Sequence, residues 1–155
     1  MADPFRKPAF TPSVTYLDAF AALDFLERAF GFERSMVITD DKGNLGHSEM
    51  SYGGGVLMVG TEWSGDHKSP ASLGRKCTQT IHVEVAADID GHCARARAAG
   101  AEILMEPADQ FYGARTYRAR DPEGHIWTFA QPVRQVSREE AEKASGLKIE
   151  AADWA

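Results

Sequence analysis

The chain has 155 residues, a length that suits one domain with a buried core. Hydrophobic residues make up 43% of it and charged residues 26%, which is typical of a globular protein and excludes a disordered one. The formal net charge of −6 argues against a protein that wraps nucleic acid, and the absence of a long apolar run argues against a membrane span. Two cysteines without metal or redox spacing, Cys77 and Cys93, and an N-terminus without a secretory signal predict a cytoplasmic protein.

An extended N-terminal arm is predicted over residues 1–12, because Pro4, Pro8 and Pro12 remove backbone donors. The first module follows over residues 13–62. Its strand SVTYL precedes a helix that Asp18 caps and Gly31 ends. The runs FERSMVITD, LGHSEMSY and VLMVG are then predicted as strands, separated by the turns DDKGN and GGG. The order of this module is βαβββ.

The same order of elements returns over residues 77–131, after a polar linker at 63–76. The strand TQTIHVEV leads to the helix IDGHCARARAA, and EILMEP, RTYRARD and HIWTFAQ are predicted strands. The helix cap Asp88 lies 70 residues after Asp18, the corresponding cap of the first module. The sequence therefore predicts one unit used twice. A tail at 132–155 carries a capping box, Ser137 with Glu140, before a short helix.

Together these elements predict an α+β fold in which two βαβββ modules form an eight-stranded, cup-shaped sheet arrangement with a helix packed outside each module. In the strand at 78–85, alternation places Ile81, Val83 and Val85 under the helix. Thr80, His82 and Glu84 then lie on the opposite face, where two curled sheets would form a partly polar cleft.

His82 and Glu84 are the candidate catalytic residues, because an imidazole and a carboxylate one pleat apart suit acid–base chemistry. The alternative is a polar pair on a solvated sheet face. His47 and Glu49 form a second such pair and are candidate ligand-binding residues. Their alternative is a histidine hydrogen-bonded within its hairpin.

The hairpin YGARTYRARDPEGHIWTF supplies further candidates for the wall of the cleft. A two-residue loop of Pro122 and Glu123 would place Tyr117 opposite Thr128. Arg115, Tyr117 and Thr128 are then predicted to face the cleft, where Arg115 could hold a carboxylate or phosphate, or instead be a solvated arginine. The other two arginines of the strand, Arg118 and Arg120, are predicted on the helix side. The loop aromatic residues are candidates for closing a ligand pocket, or simply anchor their loops: Trp63, Phe111 and Tyr112.

The segments TYLDAFAALDFLERAFGFE, LGHSEMSYGGGVLMVG and YGARTYRARDPEGHIW, in this order, resemble the vicinal oxygen chelate superfamily. This superfamily holds glyoxalase I, bleomycin-resistance proteins and extradiol dioxygenases, and the hairpins resemble its phosphonate-operon-associated branch. Metal-dependent members take ligands from the first and last strands of both modules. The resemblance carries these positions to residues that are poor ligands: Thr11, Met58 or Val59, Thr80 and Thr128.

The resemblance thus implies a glyoxalase- or bleomycin-resistance-like protein that binds a small polar or aromatic organic molecule, without an intrinsic metal. The alternative is a metal-dependent lyase, isomerase or dioxygenase with zinc, nickel, manganese or iron. A small-molecule ligand is the expected partner, with no nucleic acid and no membrane. A homodimer is expected as well, because the sheets have open edges and related proteins often build each cleft from two chains.

Overall fold

A computed structural model describes residue 3 and residues 6–155, and it places two four-stranded sheets side by side, each with its own helix. The first module comprises β1 (Ser13–Tyr16), α1 (Ala19–Phe30), β2 (Glu33–Thr39), β3 (Leu45–Tyr52) and β4 (Gly55–Thr61). The second comprises β5 (Ile81–Glu84), α2 (Ile89–Ala98), β6 (Glu102–Asp109), β7 (Ala114–Arg120) and β8 (Ile126–Pro132). A 3₁₀ helix at Pro70–Leu73 lies between them, and α3 (Arg138–Ser145) follows.

The strand order is the same in both sheets, β1-β4-β3-β2 and β5-β8-β7-β6. The first strand of each module runs parallel to the last, and the other pairs are antiparallel. The predicted α+β fold with two βαβββ modules is therefore confirmed. The strand predicted from Thr78 begins only at Ile81.

Local signals account for the helix ends. The Asp18 side chain accepts a hydrogen bond from the backbone N–H of Ala21 (3.0 Å), which satisfies a donor at the start of α1. Gly31 ends α1 with φ of 75°, a left-handed conformation that glycine adopts at little cost. Asp88 caps α2 through Gly91, so both predicted caps are confirmed.

Each helix covers one face of its sheet, and the opposite side is called here the open face. Val14, Tyr16, Met50 and Val59 are buried beneath α1, as the alternation of the strands requires. The open face of each sheet is more polar.

The two modules meet along their helices in an aromatic cluster. Phe30, at the end of α1, packs against Phe129 (4.7 Å between ring centroids) and Trp127 (5.6 Å) of the second module. Arg95 of α2 donates to the backbone oxygens of Glu27 and Arg28 at the end of α1 (2.8 Å each). The core is therefore continuous between the modules.

The described part of the N-terminal arm crosses the open face of the first sheet. Lys7 Nζ lies 3.0 Å from a carboxylate oxygen of Glu49 on β3, and the backbone N–H of Met58 donates to the oxygen of Pro12 (2.9 Å). Pro4 lies outside the described residues. At the other end of the chain, Ser137 caps α3 by accepting from the N–H of Glu140 (3.1 Å).

Within the described residues, no helix is both long and apolar enough to cross a membrane.

Candidate functional site

A cavity of about 420 Å³ lies between the first module's β3–β4 turn and the free edge of β5. We call it the β5 cavity. Four consecutive residues of β5 line it, Ile81 to Glu84. Because neighbouring residues of a strand point to opposite faces, a cavity that touches all four lies along the edge of the strand and not over one face.

The β5 cavity exists because the turn opposite β5 carries no side chains. Gly53 and Gly54 form this turn, closed by the pairing of Tyr52 with Gly55. Gly53 has φ of 55°, which the turn requires and which glycine tolerates. A Cβ atom placed on Gly53 or Gly54 would meet no atom within 4 Å. The three glycines therefore leave the space that larger residues would occupy.

The floor of the β5 cavity is apolar and aromatic. Phe32 packs against Tyr52 (5.3 Å between ring centroids) and Trp127 (5.6 Å), and all three line the cavity together with the buried Met50. Phe10, from the N-terminal arm, lines it as well and is largely exposed. Such a floor suits an aromatic or aliphatic group of a ligand.

The two candidate catalytic residues supply polar groups to the same cavity. His82 and Glu84 share the open face of β5, opposite Thr128 and Ala130 of β8, so the predicted shared face is confirmed. Both side chains are exposed and both line the β5 cavity. An imidazole and a carboxylate at this position can each hydrogen-bond a polar group of a ligand. Their catalytic role stays a prediction.

The second predicted pair, His47 and Glu49, lies away from the β5 cavity on the open face of the first sheet. His47 Nε2 donates to Glu49 (2.8 Å), whose other carboxylate oxygen faces Lys7 (3.0 Å). Burial acts to raise the pKa of Glu49, but the hydrogen bonds from His47 and Lys7 outweigh it and hold that pKa below its usual value. Glu49 therefore stays ionised and ties the arm to the sheet, and its ligand-binding role stays a prediction.

The predicted register of the last hairpin is wrong by one residue. The N–H of Asp121 donates to the oxygen of His125, so the loop contains three residues and not two. Tyr117 consequently pairs with Phe129, and Thr128 pairs with Arg118. Since a shift of one residue exchanges the two faces of a strand, every residue of β7 lies on the face opposite to the predicted one.

Arg115 and Tyr117 accordingly lie on the helix side and not in a cleft. Tyr117 is fully buried, and its hydroxyl donates to Nδ1 of His92 on α2 (2.5 Å). Arg115 pairs with Asp90 (2.9 Å) and Asp109 (3.0 Å), which occupy its donors. Arg118 and Arg120 were predicted on the helix side and lie on the open face.

Thr128 does lie on the open face, where the hydroxyl accepts from Arg118 Nε (3.2 Å) beside His82. Thr80 is exposed and precedes β5, outside the strand. Neither residue lines the β5 cavity.

The three loop aromatic residues lie outside the β5 cavity as well. Trp63 is 72% exposed and packs on His67 (4.0 Å between ring centroids). Phe111 and Tyr112 pack against each other at the β6–β7 turn (5.2 Å). The structure therefore does not bring them together with His82 and Glu84.

Comparison with known proteins identifies the family. The sequence profile of the Glyoxalase/Bleomycin resistance protein/Dioxygenase superfamily matches residues 13–129, which span both modules. The chain belongs to this superfamily. An uncharacterized protein of Mycobacterium bovis is 33% identical over 142 residues, covering 89% of this chain and 92% of its own length. An uncharacterized protein of Mycobacterium tuberculosis is equally similar, with 82% of its length covered.

Solved structures of other proteins show the same fold. TioX from Micromonospora sp. ML1 is 32% identical, with a TM-score of 0.62 over 79% of this chain and 97% of TioX. A glyoxalase-related enzyme from Fulvimarina pelagi is 19% identical, with a TM-score of 0.61 over 80% of this chain and 87% of that protein, and this likeness concerns the fold alone.

The metal of many glyoxalase-superfamily members does not fit the side chains found here. The open-face positions at the first and last strands hold Ser13 and Met58 in the first module and His82 and Thr128 in the second. Thr11 and Thr80, the positions expected for the first strands, lie two residues before Ser13 and His82. Of the four open-face residues, only His82 is a strong ligand for a divalent ion. Across residue 3 and residues 6–155, no three side chains of His, Cys, Asp or Glu come close enough to hold a metal. The absence of an intrinsic metal nevertheless stays a prediction.

Sequence reasoning recognised the turn of the last glyoxalase-like hairpin but missed what its side chains do. Asp121 is buried and accepts from the Tyr16 hydroxyl (2.6 Å) of the first module. Glu123 accepts from the backbone N–H groups of Leu17 (2.6 Å) and Asp18 (3.0 Å). These contacts join the second module to the edge of β1. The sequence contained one signal for these contacts: the turn of the first module consists of glycines, whereas the equivalent turn of the second module carries Asp121 and Glu123.

Proposed function

We propose that this protein binds a small organic molecule with an aromatic part in the β5 cavity, as a glyoxalase- or bleomycin-resistance-like binding protein without an intrinsic metal. The observation that carries the proposal is the β5 cavity itself. Its volume of about 420 Å³ lies within the range of small-molecule sites. Its walls combine an aromatic floor with two polar side chains, His82 and Glu84.

These features divide the recognition of a ligand between two kinds of contact. The floor of Phe32, Tyr52 and Trp127 supplies apolar area, which contributes most of the binding free energy for a molecule of this size. His82 and Glu84 orient the polar end of the ligand. The alternative of a metal-dependent lyase, isomerase or dioxygenase would require ligands that the open-face positions do not supply.

A homodimer is part of the proposal. The outer strands β2 and β6 leave sheet edges uncovered within the described chain, and apolar side chains next to them are exposed, among them Ile38 and Leu104. Pairing with a second copy would cover such edges. The kinship with the phosphonate-operon-associated branch rests on the hairpin sequences alone and stays a prediction.

The proposal is tested by filling the β5 cavity from the turn. Gly54 lines the cavity, does not have a positive φ and has open space around its Cβ position, so Gly54→Trp is expected to fold and to occupy the site. Gly65→Trp is the matched control, because Gly65 also has open space and no positive φ but lies in the linker. The probe is the fluorescent dye 1-anilinonaphthalene-8-sulfonate.

The natural protein and Gly65→Trp should bind the dye alike, and Gly54→Trp should bind it at least about tenfold more weakly. Circular dichroism and melting curves verify that both variants fold. Equal dye binding by all three proteins, or no binding by any, would show that the β5 cavity is not a ligand site.

A further inference from the structure

We infer that the β5 cavity selects ligands that carry a secondary amide, because the backbone edge of β5 is open to hydrogen bonding along the cavity. This inference rests on the proposed function and adds the chemical class of the ligand. The ligand would pair with the strand edge as a short peptide segment does, with its aromatic group on the cavity floor.

The orientation of the β5 backbone follows from one hydrogen bond. The N–H of Val85 donates to the oxygen of Ala130 on β8 (2.8 Å). Backbone groups of successive residues in a strand point to alternate sides. His82 and Glu84 therefore direct their N–H and C=O groups away from β8, towards the β5 cavity that they line.

In the first module, the equivalent strand edge is that of β1, and side chains form hydrogen bonds with its outward backbone groups. Side chains of the second module bond the edge of β1 and the residue that follows it. The oxygen of Ser13 accepts from Gln79 Nε2 (3.0 Å), and the oxygen of Thr15 accepts from His125 Nε2 (2.7 Å). The N–H of Leu17 donates to Glu123 (2.6 Å). Two acceptors and one donor of this edge therefore have side-chain partners.

Strand register identifies the corresponding groups of the second module. Ser13 pairs with Met58 on the open face, and His82 pairs with Thr128 on the open face. His82 and Glu84 therefore correspond to Ser13 and Thr15. Ala86, which also lines the cavity, corresponds to Leu17.

Within residue 3 and residues 6–155, no side chain bonds these backbone groups of the second module. Gly55, the first residue of β4, occupies the position of His125, which directly precedes β8. Gly53 and Gly54 replace the three-residue loop that carries Glu123. Among the residues that the structure describes, none hydrogen-bonds the outward groups of His82 and Glu84 or the N–H of Ala86. The two modules therefore share their arrangement of strands, but the side-chain hydrogen bonds to the edge of β1 have no equivalent at the edge of β5.

The chemistry of the missing partners defines the ligand. The oxygen of Glu84 needs a donor, and the N–H of Ala86 needs an acceptor further along the edge. The N–H and C=O groups of one peptide residue point to the same side of an extended chain, so a residue with an amide N–H supplies both groups, and an extended peptide repeats them at the spacing of a strand. An ester of the same shape supplies only the acceptor, so it would leave the Glu84 oxygen without a partner.

The test compares two probes that differ in one atom group. The first is N-acetyl-L-phenylalanine N,N-dimethylamide, whose only N–H group is that of phenylalanine, and the second is its depsi analogue, in which an ester oxygen replaces that N–H. Binding is followed by the backbone amide resonances of ¹⁵N-labelled protein. We expect the amide probe to bind at least about tenfold more tightly than the ester, and to shift the resonances of Glu84 and Ala86.

A variant closes the edge with a side chain from the other module. Gly55→His places at the first-module turn the residue found at the equivalent position of the second, and it should abolish the preference for the amide. Gly54→Trp serves the same purpose if that variant does not fold.

Equal affinities for the two probes, or no shift with either, would overturn the inference about the amide. Neither result decides the proposed function, which the dye experiment with Gly54→Trp tests separately. A preference for the amide that persists unchanged in Gly55→His and Gly54→Trp would also overturn it, because the amide would then bind elsewhere.

Discussion

Replacing Asp121 by asparagine should destabilise the protein although the two side chains have nearly the same shape. Asp121 Oδ2 accepts from the Tyr16 hydroxyl (2.6 Å) and from Trp127 Nε1 (3.1 Å). Oδ1 accepts from the backbone N–H groups of Gly124 and His125 (3.0 Å each). The carboxylate is 1% exposed, so water cannot replace a lost acceptor. Four donors therefore bond the two carboxylate oxygens, and only the Gly124 N–H has a second acceptor, the backbone oxygen of Asp121 (3.0 Å).

An asparagine has one oxygen and one NH₂ group in the same place. If its oxygen keeps the two turn N–H groups, the NH₂ group faces Tyr16 and Trp127. The Tyr16 hydroxyl can rotate and accept, but the Trp127 indole has only a donor and stays unpaired. One stranded buried donor and weaker turn bonds should together cost about 2 kcal/mol. For a chain of this length that corresponds to a fall in melting temperature of about 4–8 °C.

The assay is thermal and urea unfolding at pH 7, with two comparison variants. Asp121→Ala leaves the donors of Tyr16, Trp127 and His125 without their acceptor and should cost about 3–5 kcal/mol. Asp153→Asn makes the same chemical change at an exposed residue near the C-terminus and should change the free energy of unfolding by less than about 0.5 kcal/mol. If Asp121→Asn melts within about 1 °C of the natural protein, the reasoning from the four donors is wrong.

Three further predictions concern pH, metal and assembly. Burial lowers the pKa of His92 in the folded protein. Below about pH 6.5 the unfolded chain therefore binds more protons than the folded protein, and the free energy of unfolding should decrease as the pH is lowered. His92→Gln should reduce this dependence of the free energy of unfolding on pH. The same pH dependence in the natural protein and the variant, measured by denaturant unfolding, would contradict the prediction. Zinc, nickel or manganese should leave the melting temperature nearly unchanged, whereas a large rise abolished by His82→Ala or Glu84→Ala would establish a metal site. Light scattering should give the mass of a homodimer at micromolar concentration, and a monomer would refute the proposed assembly.

The fold was predictable because its signals are local. Asp18 and Gly31 act within one turn of α1, and the hydrophobic alternation of IHVEV needs only the strand itself. These signals occur twice in the chain at nearly the same spacing, which makes the repeat of βαβββ visible without a structure.

Which side chains of β7 lie on the helix side was not predictable, because this depends on whether the following loop has two or three residues. One carboxylate oxygen of Asp121 accepts hydrogen bonds from the backbone N–H groups of Gly124 and His125. The other oxygen accepts hydrogen bonds from the side chains of Tyr16 and Trp127. Tyr16 lies 105 residues away in sequence, so no local pattern reveals the contact. The resulting three-residue loop moves Arg115 to the helix side.

The β5 cavity was equally hidden from the sequence, although its polar residues were found. His82 and Glu84 share a face by alternation alone. The space beside them depends on how the turn of Gly53 and Gly54 lies against the other module, which is a tertiary relation. The missing side chains of this turn indicate a cavity only when the structure shows that the edge of β5 lies opposite the turn.

The packing of Phe30 into the second module has a consequence for how the chain folds. This ring belongs by sequence to the first βαβββ unit, yet its neighbours Trp127, Phe129 and His92 belong to the second. Either half alone would expose part of this aromatic surface to water, so neither half has a complete core. The unit of cooperative folding is therefore the pair of modules, and the linker between them joins two structural repeats without separating two independently stable domains.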